Sequence, residues 1–413
     1  MTREKTTILG SNHQSTKIQN RALVLKIICT GTNVSRIDIS RQTGLSKMSI
    51  TNIVSELSKV GLIVDRAEQA NPAMNGSIGR KPVFLAPDTD NHIALGLYIS
   101  RDYVIATLSN LKCEILDEKR CILAFEESET SFDDKIKTLI HSILNTSVAT
   151  GKKMIGIGVA SIGPLDIRNG VILEPPNFHT LKSIPINQLL EKEFGYAVYV
   201  DNDMNASALA EKLYGKATDV SNFAYVGVTN GIGAGIITDN VLFAGDMGFS
   251  GEIGHTTINY EGPRCACGNT GCLELYASIP EIVSQARNSI ALGMDSMLAE
   301  LEIIEWKDIV KYAEAGDKLA LNLIDRLCLY ISIGLVNLIN MFDPQIIYLG
   351  HDIALAGSLV TERLQTYLTD KTISSRYKSI PIEISAFGEK APIIGSVAIV
   401  LDKLFSGVSL CSF

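Results

Sequence analysis

The sequence predicts an α/β protein in which a small N-terminal helix-turn-helix head precedes a larger body made of two similar lobes. Three observations support this prediction. A chain of 413 residues is too long for one ordinary domain. Its N-terminal part is basic whereas the remainder is acidic, and a β-rich stretch followed by helices occurs twice. With 46% apolar and 20% charged residues, the chain has the composition of a folded globular protein.

Charge separates the head from the body. Residues 1–86 contain 12 Lys and Arg against 5 Asp and Glu, although the whole chain has a net charge of −8. A basic segment on an acidic protein favours nucleic acid as its partner, and a solvated basic face is the alternative. We therefore predict a DNA-binding domain over residues 1–86 and a second domain over residues 87–413.

The apolar runs do not predict a membrane segment. The start of the chain is polar, and the most apolar later run is interrupted by Asn337, Asn340, Asp343 and Pro344. We therefore expect a cytoplasmic protein with no membrane partner. The 8 cysteines would suggest disulfides in an exported chain, but a reducing compartment favours free thiols or metal ligands.

The head contains the signals of three helices. The first covers "STKIQNRALVLKIICTG", where Val24, Ile27 and Ile28 share one face. Ser35, followed by Asp38, predicts the N-cap of a second helix that ends at Gly44. The third helix begins at Ser46, and its apolar residues recur with helical spacing at Ile50, Ile53, Val54 and Leu57.

The third helix has the properties of a DNA-recognition helix. A short turn, "GLS", precedes it, and its exposed face offers donors for phosphates and base edges. These donors are Ser46, Lys47, Ser49, Thr51 and Asn52. Two strands with a loop between them would complete a winged helix-turn-helix, and Arg80 and Lys81 in that loop would suit a narrow minor groove. Operator DNA is the predicted partner, and a helical hairpin that contacts another protein is the alternative.

The body has a repeated pattern of strands and helices. Three successive strands, "HIALGLYIS", "DYVIATLSNL" and "CEILDEKRCILAF", precede a helix near residues 131–149 and a buried strand, "MIGIGVAS". A second β-rich start, "NFAYVGVTNGIGAGIITDNVLFAG", is followed by long helices and the strand "QIIYLG". This repetition indicates a duplicated α/β architecture, in which a ligand would bind in the cleft between the lobes.

Residues 255–272, the cysteine loop, contain four candidate metal ligands: His255, Cys265, Cys267 and Cys272. Thiolates and an imidazole at this spacing favour zinc in tetrahedral coordination. Four protein ligands would leave no position for a catalytic water, so the zinc would be structural. Free thiols are the alternative.

Four further polar residues suggest a ligand with many hydroxyl groups. Glu252 and Glu274 flank the cysteine loop, and Asn202 and Asp203 follow the strand "AVYV". A sugar requires several fixed acceptors, because each buried hydroxyl left unpaired costs about 1–3 kcal/mol. Any one of these carboxylates could instead be an ordinary surface group.

These motifs resemble those of the ROK family (repressors, open reading frames and sugar kinases), in which a GExGH segment leads into a CxCGxxGCxE zinc loop. The resemblance extends over nearly the whole chain, through "GRKP", "GVASIGP", "DNDMN", "TNGIGAGI", "GEIGH" and the cysteine loop. It implies a two-lobed, actin-like ATPase fold of the ribonuclease-H type after the head. It also implies a sugar site formed by Asn202, Asp203, Glu252, His255 and Glu274, where His255 would give one ring nitrogen to zinc and the other to a sugar hydroxyl.

The family includes kinases, and one segment of this chain argues against kinase activity. ROK kinases have a DxGGT-type phosphate loop in the first strand pair, where glycines let backbone N–H groups approach phosphates. Here the segment is "LGLYISRDYV", and the residues that replace the motif are Tyr98, Ser100, Arg101 and Asp102. Asp102 would also repel phosphate. His351 stands where the family tends to another glycine.

Loss of the phosphate loop would leave Asp203, the base in a kinase, as a hydrogen-bond acceptor only. We therefore predict a sugar-responsive transcriptional repressor that is not an enzyme. A ROK sugar kinase with a DNA-binding head is one alternative, and a scaffold that does not bind DNA is another.

Three runs bear on which sugar acts as the effector. "GFSGEIGHTTI", "CLELYAS" and "GLVNLINMFDPQIIYLG" are most similar to the xylose repressors of the family, whereas "DNDMN" is closer to the hexose kinases. Xylose is therefore the first candidate, and glucose or another unphosphorylated hexose is the second. A homodimer on a palindromic operator, or a dimer of such dimers, is the expected assembly.

Overall fold

The computed structural model describes residues 13–66, 83–124, 128–174, 181–408 and 410. Its head has the element order of a winged helix. The elements are α1 (His13–Thr30), β1 (Val34–Ser35), α2 (Arg36–Thr43), α3 (Lys47–Lys59), β2 (Ile63–Arg66) and β3 (Phe84–Pro87). The strands form an antiparallel sheet with β3 in the centre. Arg80 and Lys81, which we predicted to lie in the wing, are outside the described residues.

Both ends of α2 and the start of α3 lie where the sequence predicts them, whereas α1 begins at His13, two residues earlier than predicted. Ser35 and Asp38 form a reciprocal capping box at the start of α2, and Gly44 ends this helix in the left-handed conformation at φ 71°. Ser46 caps α3 by accepting a hydrogen bond from the N–H of Ser49. The four predicted apolar residues of α3 are buried, so the opposite face of this helix is exposed.

The first lobe contains a five-stranded mixed sheet. Its elements are β4 (His92–Ile99), β5 (Tyr103–Ser109), β6 (Ile115–Ile122), α4 (Glu129–Leu144), β7 (Lys153–Ser161), β8 (Leu165–Asp166), β9 (Val171–Ile172), α5 (Ile186–Phe194), β10 (Val198–Asn202) and α6 (Asp203–Tyr214). Helix α4 is shorter than predicted, because Asn145 ends it and turns follow up to Gly151.

The second lobe repeats this sheet and adds helices. Its elements are β11 (Phe223–Val228), β12 (Ile232–Thr238), β13 (Val241–Leu242), α7 (Glu274–Ala277), α8 (Ile279–Ala291), α9 (Trp306–Glu314), α10 (Lys318–Phe342), β14 (Ile346–Gly350), α11 (Ser358–Leu368) and β15 (Ile382–Ile384). A last helix, α12 (Ala391–Phe405), packs against β4, β7 and α6 of the first lobe.

The two large sheets share one strand order, which confirms the predicted duplication. From one edge, the first sheet runs β6-β5-β4-β7-β10 and the second runs β13-β12-β11-β14-β15. In each sheet the first two pairings are antiparallel and the last two are parallel. Helix α6 packs against strands of the second sheet, so it lies between the lobes.

Helix α10 is long and apolar enough to cross a membrane by length and composition. In this fold it is the central helix of the second lobe, and its buried side chains belong to the core of that lobe. Burial on several sides explains its apolar composition.

The head packs directly on the first lobe. Helix α1 contacts α12, and their buried side chains, which include Leu25, Ile28, Leu404 and Phe405, belong to one hydrophobic cluster. A cluster that continues from the head into the body restricts their relative movement more than a flexible linker would.

Candidate functional site

The cysteine loop brings its four predicted metal ligands together. Nδ1 of His255 lies 3.8 Å from Sγ of Cys265, and Sγ of Cys267 lies 3.7 Å from Sγ of Cys272. All four ligand atoms lie within 4.8 Å of one another. Ligand atoms about 2.3 Å from a tetrahedral metal are about 3.8 Å apart. The arrangement therefore fits one four-coordinate metal ion.

Backbone contacts hold the cysteine loop in this shape. The side-chain amide of Asn269 donates to the carbonyl of His255 at 3.1 Å, and Thr257 pairs with Cys272 through a β-bridge. Gly271 has φ 65°, and a Cβ at this position would lie 1.6 Å from the carbonyl oxygen of Asn259. Only glycine fits this turn, which places Cys272 beside the other ligands.

A cleft of about 800 Å³, including its solvent-filled mouth, lies next to the cysteine loop. All five residues that we predicted to bind sugar line it: Asn202, Asp203, Glu252, His255 and Glu274. They come from the end of β10, the start of α6, the segment before the cysteine loop, the loop itself and the start of α7. The fold therefore brings together residues that are far apart in the sequence.

Gly163 marks where the two sides of the cleft approach each other. A Cβ on Gly163 would lie 3.3 Å from Nδ2 of Asn202 and 3.5 Å from Oε1 of Glu252. Asn202 caps α6, because its Oδ1 accepts the N–H of Met204 at 2.9 Å. This bond fixes the amide and leaves its NH₂ group on the side of Glu252.

The cleft is acidic. Burial, together with the nearby carboxylates of Asp203 and Glu274, raises the pKa of Glu252 to about 7. Burial also raises the pKa of Glu274, whereas His255 and Arg101 oppose this change. Several carboxylates in one cleft can accept hydrogen bonds from hydroxyl groups. The same charges would repel a phosphate group.

Side chains from the altered phosphate-loop segment enter the cleft. Tyr98, Ser100 and Arg101 line it, and the buried ring of Tyr98 packs edge-on against Tyr103 with ring centroids 5.9 Å apart. Burial, and then the charge of Asp203, raises the pKa of Tyr98 well above its usual range. Asp102 is exposed at the turn and is not part of the lining, which gives no support to the expected repulsion by this residue.

The second glycine run, "TNGIGAG", packs against protein groups. A Cβ on Gly231 would lie 2.7 Å from Oε2 of Glu274, and a Cβ on Gly235 would lie 2.3 Å from the carbonyl oxygen of Met204 in α6. These glycines allow close approach of a carboxylate and a helix, so they need no nucleotide to explain them. Thr229 and Asn230, the first two residues of this run, also line the cleft. Neither residue is among those predicted from the sequence to bind the ligand.

The predicted DNA-contacting residues of the described head lie around the start of α3. Ser46, Lys47, Thr51 and Asn52 are exposed, whereas Ser49 is half-buried. The hydroxyl groups of Ser46 and Ser49 lie 2.9 Å apart, and Thr51 donates to the carbonyl of Lys47 at 2.8 Å. Since these hydroxyl groups already bond within the helix, Lys47 and Asn52 are the better candidates for direct contact with a partner.

Comparisons with known proteins agree with this architecture. A family model described as the ROK family matches residues 94–403. The chain is 31% identical over 398 residues to a xylose repressor from Caldicellulosiruptor bescii, and the alignment covers 96% of this chain and 98% of that protein. Most of the head and of the body is therefore included in this similarity.

Two solved structures show the same fold. A ROK family transcriptional regulator, described as a homologue of the Escherichia coli MLC protein, has a TM-score of 0.82 at 30% identity and covers 96% of this chain and 98% of its own. A ROK family glucokinase from Streptomyces griseus, in complex with glucose and AMPPNP, has a TM-score of 0.66 at 24% identity. The alignment covers 74% of this chain and 98% of the glucokinase. At this identity, the similarity is evidence for the fold and not for the function.

Proposed function

Because the chain belongs to the ROK family, we propose that it is a sugar-responsive transcriptional repressor whose head binds operator DNA. The predicted family and its two-lobed α/β fold are confirmed by the family model and the solved structures. One observation carries the functional proposal: a winged-helix head and an acidic, hydroxyl-accepting cleft occur on one chain and share a hydrophobic cluster. A repressor controlled by a sugar requires both parts and a contact between them.

The cleft is the proposed sugar site. Asn202 supplies an amide, and Asp203, Glu252 and Glu274 supply acceptors, so several sugar hydroxyl groups can be paired at once. The carboxylates favour an unphosphorylated ligand, since a sugar phosphate would add negative charge beside buried acidic groups. Xylose is the first candidate, because a xylose repressor is similar over nearly the whole chain. Glucose or another hexose is the second.

We assign the cysteine loop to one structural zinc ion. His255, Cys265, Cys267 and Cys272 supply the ligands. Because Nδ1 of His255 faces the sulfur atoms while the residue also lines the cleft, Nε2 would be left for a sugar hydroxyl. The metal would fix the orientation of the imidazole and of the neighbouring Glu274, as a metal does for the groups around its ligands.

The same cleft argues against a sugar kinase with a DNA-binding head. Tyr98, Ser100 and Arg101 line the cleft in place of a glycine phosphate loop. With no loop to hold a phosphoryl donor, Asp203 would accept a hydrogen bond from a sugar but would not activate it for transfer. A repressor and a transcriptional regulator are each similar to this chain over 96% of its length.

We assign DNA contacts to the start of α3 and to the wing, and we place the protein in the cytoplasm with its DNA. The contact residues are Ser46, Lys47, Ser49, Thr51, Asn52, Arg80 and Lys81. A homodimer, or a dimer of dimers, would place two heads on a palindromic operator.

One experiment tests the function as a whole. The full-length protein is mixed with DNA from upstream of its own gene and of the genes next to it, and complexes are measured by fluorescence anisotropy. A panel of xylose, glucose and their phosphorylated forms is then added. We expect a specific complex that an unphosphorylated sugar alone dissociates. Absence of specific DNA binding, or equal response to the phosphorylated sugars, would contradict the proposal.

A further inference from the structure

His351 occupies an unusual place beneath the sugar cleft. It directly follows β14, its side chain is only 3% exposed, and its backbone has φ 63°. This left-handed conformation is uncommon for a residue other than glycine and costs free energy that the surroundings must offset. A histidine in such a position therefore requires an explanation from its side-chain contacts.

The imidazole lies between a buried tyrosine and a buried aspartate. Nδ1 lies 3.0 Å from the hydroxyl oxygen of Tyr225, and Nε2 lies 3.6 Å from Oδ2 of Asp203. Among the described residues, Nε2 has no partner within hydrogen-bond distance. Because a carboxylate only accepts hydrogen bonds, this geometry favours the tautomer in which Tyr225 donates to Nδ1 and the proton is on Nε2.

Tight packing keeps the ring in this orientation. A Cβ on Gly227 would lie 2.6 Å from Nδ1 of His351, and a Cβ on Gly350 would lie 1.8 Å from the hydroxyl oxygen of Tyr225. No side chain larger than hydrogen fits at either position without a shift. Gly227 therefore packs against the imidazole and Gly350 packs against the tyrosine that bonds to it, while Nε2 faces Asp203.

Among the described residues, groups of its own lobe bond to one of the two carboxylate oxygens of Asp203. Its Oδ1 accepts the N–H of Met204 at 3.0 Å, whereas Oδ2 faces His351. A carboxylate that is only 3% exposed needs a partner for each oxygen. The gap of 3.6 Å would close with a shift of a few tenths of an ångström, and polar contacts of this kind often shorten when a ligand binds.

We propose that His351 is a positioning residue of the sugar site, which holds the carboxylate of Asp203 in its sugar-binding orientation by donating from Nε2. This inference rests on the proposed function, because it takes Asp203 as a sugar ligand. It also explains why a histidine can replace glycine here. The side chain of His351 gives Asp203 a hydrogen-bond partner from the second lobe. Asp203 therefore needs no additional bound group on that side.

Two substitutions of His351 test the roles of its two ring nitrogen atoms separately. His351→Gln places an amide NH₂ near the position of Nε2, whereas His351→Asn reaches only the position of Nδ1 and tolerates the left-handed backbone. We expect His351→Gln to keep the dissociation constants for D-xylose and D-glucose within about threefold of wild type. His351→Asn should weaken binding of the preferred sugar by about tenfold or more, as expected for loss of a hydrogen bond to a charged group.

The measurement is isothermal titration calorimetry on the full-length protein, with thermal unfolding of each variant without sugar. His92→Asn is the matched control, because His92 is equally buried but lies at the start of β4, outside the cleft. It should lower the melting temperature and leave sugar affinity unchanged. In the background of Asp203→Asn, His351→Asn should cause little further loss, because the two changes remove one interaction.

Each outcome is informative. Equal sugar affinity of wild type and His351→Asn would overturn the positioning role and leave the proposed function intact. Equal losses for His351→Asn and His351→Gln, in proportion to their losses of stability, would show that the residue is only structural and would also overturn it. If wild type binds neither D-xylose nor any unphosphorylated hexose, the proposed function fails, and this inference fails with it.

Discussion

Gly407, which lies just after the end of α12, is in direct contact with Ile18 of α1: a Cβ added to Gly407 would lie 2.7 Å from Cγ2 of Ile18. The contact joins the head to the C-terminal helix of the first lobe. Near it, Lys26 of α1 and Asp402 of α12 line a common polar cavity, and the charge of Lys26 opposes the rise in the pKa of Asp402 caused by burial. Movement of α12 would therefore displace α1 and the head.

The first prediction tests this contact with Gly407→Ala. The added methyl group should displace α1 and reduce the effect of the sugar on operator affinity by at least about threefold, within the usual range of coupling energies. Gly293→Ala is the matched control, because Gly293 has φ 88° against 89° for Gly407 but no atom within 4 Å of its added Cβ.

Both glycine substitutions should cost about 1–2 kcal/mol of stability through backbone strain alone. Only Gly407→Ala should change the ratio of operator dissociation constants measured with and without sugar. An equal ratio in both variants would show that the contact between α1 and α12 does not transmit the signal.

The local features of this structure could be read from the sequence because they depend on neighbours in the chain. The capping box of Ser35 and Asp38 and the buried face of α3 each need only a few consecutive residues. The cysteine loop is similarly local, since its four ligands fall within residues 255–272. Short-range spacing determines the capping box, the buried face of α3 and the cysteine loop, so the sequence is sufficient to predict these three features.

The long-range contacts could not be read in this way. His351 and Asp203 meet only because β14 and α6 converge beneath the cleft, and α1 meets α12 only because the last helix returns to the first lobe. Asp102 is exposed because of the direction of the turn that contains it. This direction cannot be predicted from which residues replace the phosphate-loop motif. The motifs named the residues of the site, but the fold determined which of them face each other.

A second prediction concerns the metal. The purified wild-type protein should contain one zinc ion per chain, and Cys267→Ser should lose it because three ligands bind a structural zinc poorly. Sugar affinity should fall as well, since His255 and Glu274 would lose their anchor. The measurement is elemental analysis followed by calorimetry, with Cys121→Ser on β6 as the control cysteine variant. Native protein that contains no zinc would contradict the assignment.

The third prediction is that the protein does not phosphorylate sugars. Since Tyr98, Ser100 and Arg101 line the cleft where a phosphate loop would be needed, no ATP-dependent turnover is expected with xylose or glucose. A coupled assay of ADP release measures this, with a ROK glucokinase as the positive control. Steady turnover that Asp203→Asn abolishes would show that the chain is a kinase.

A fourth prediction concerns the contact with DNA. Lys47→Ala should weaken operator binding and lower the slope of log affinity against log salt by about one, as expected for loss of one phosphate contact. Arg80→Ala should also weaken binding if the wing enters the minor groove. Lys59→Ala, at the C-terminal end of α3, is the control and should have little effect. Operator binding by a protein that lacks residues 1–86 would contradict the role of the head.

The last prediction links the two binding sites by reciprocity. A sugar can weaken DNA binding only to the extent that it prefers the conformation that does not bind DNA, typically by about 1–3 kcal/mol or roughly 5- to 150-fold. Saturating operator DNA must then weaken sugar binding by the same factor. Calorimetric titration of sugar with and without operator measures this directly, and Lys47→Ala protein is the control, because its weaker operator binding should give a smaller change in sugar affinity at the same operator concentration. Equal sugar affinities with and without bound operator would show that the sugar is not the effector, even if it binds in the cleft.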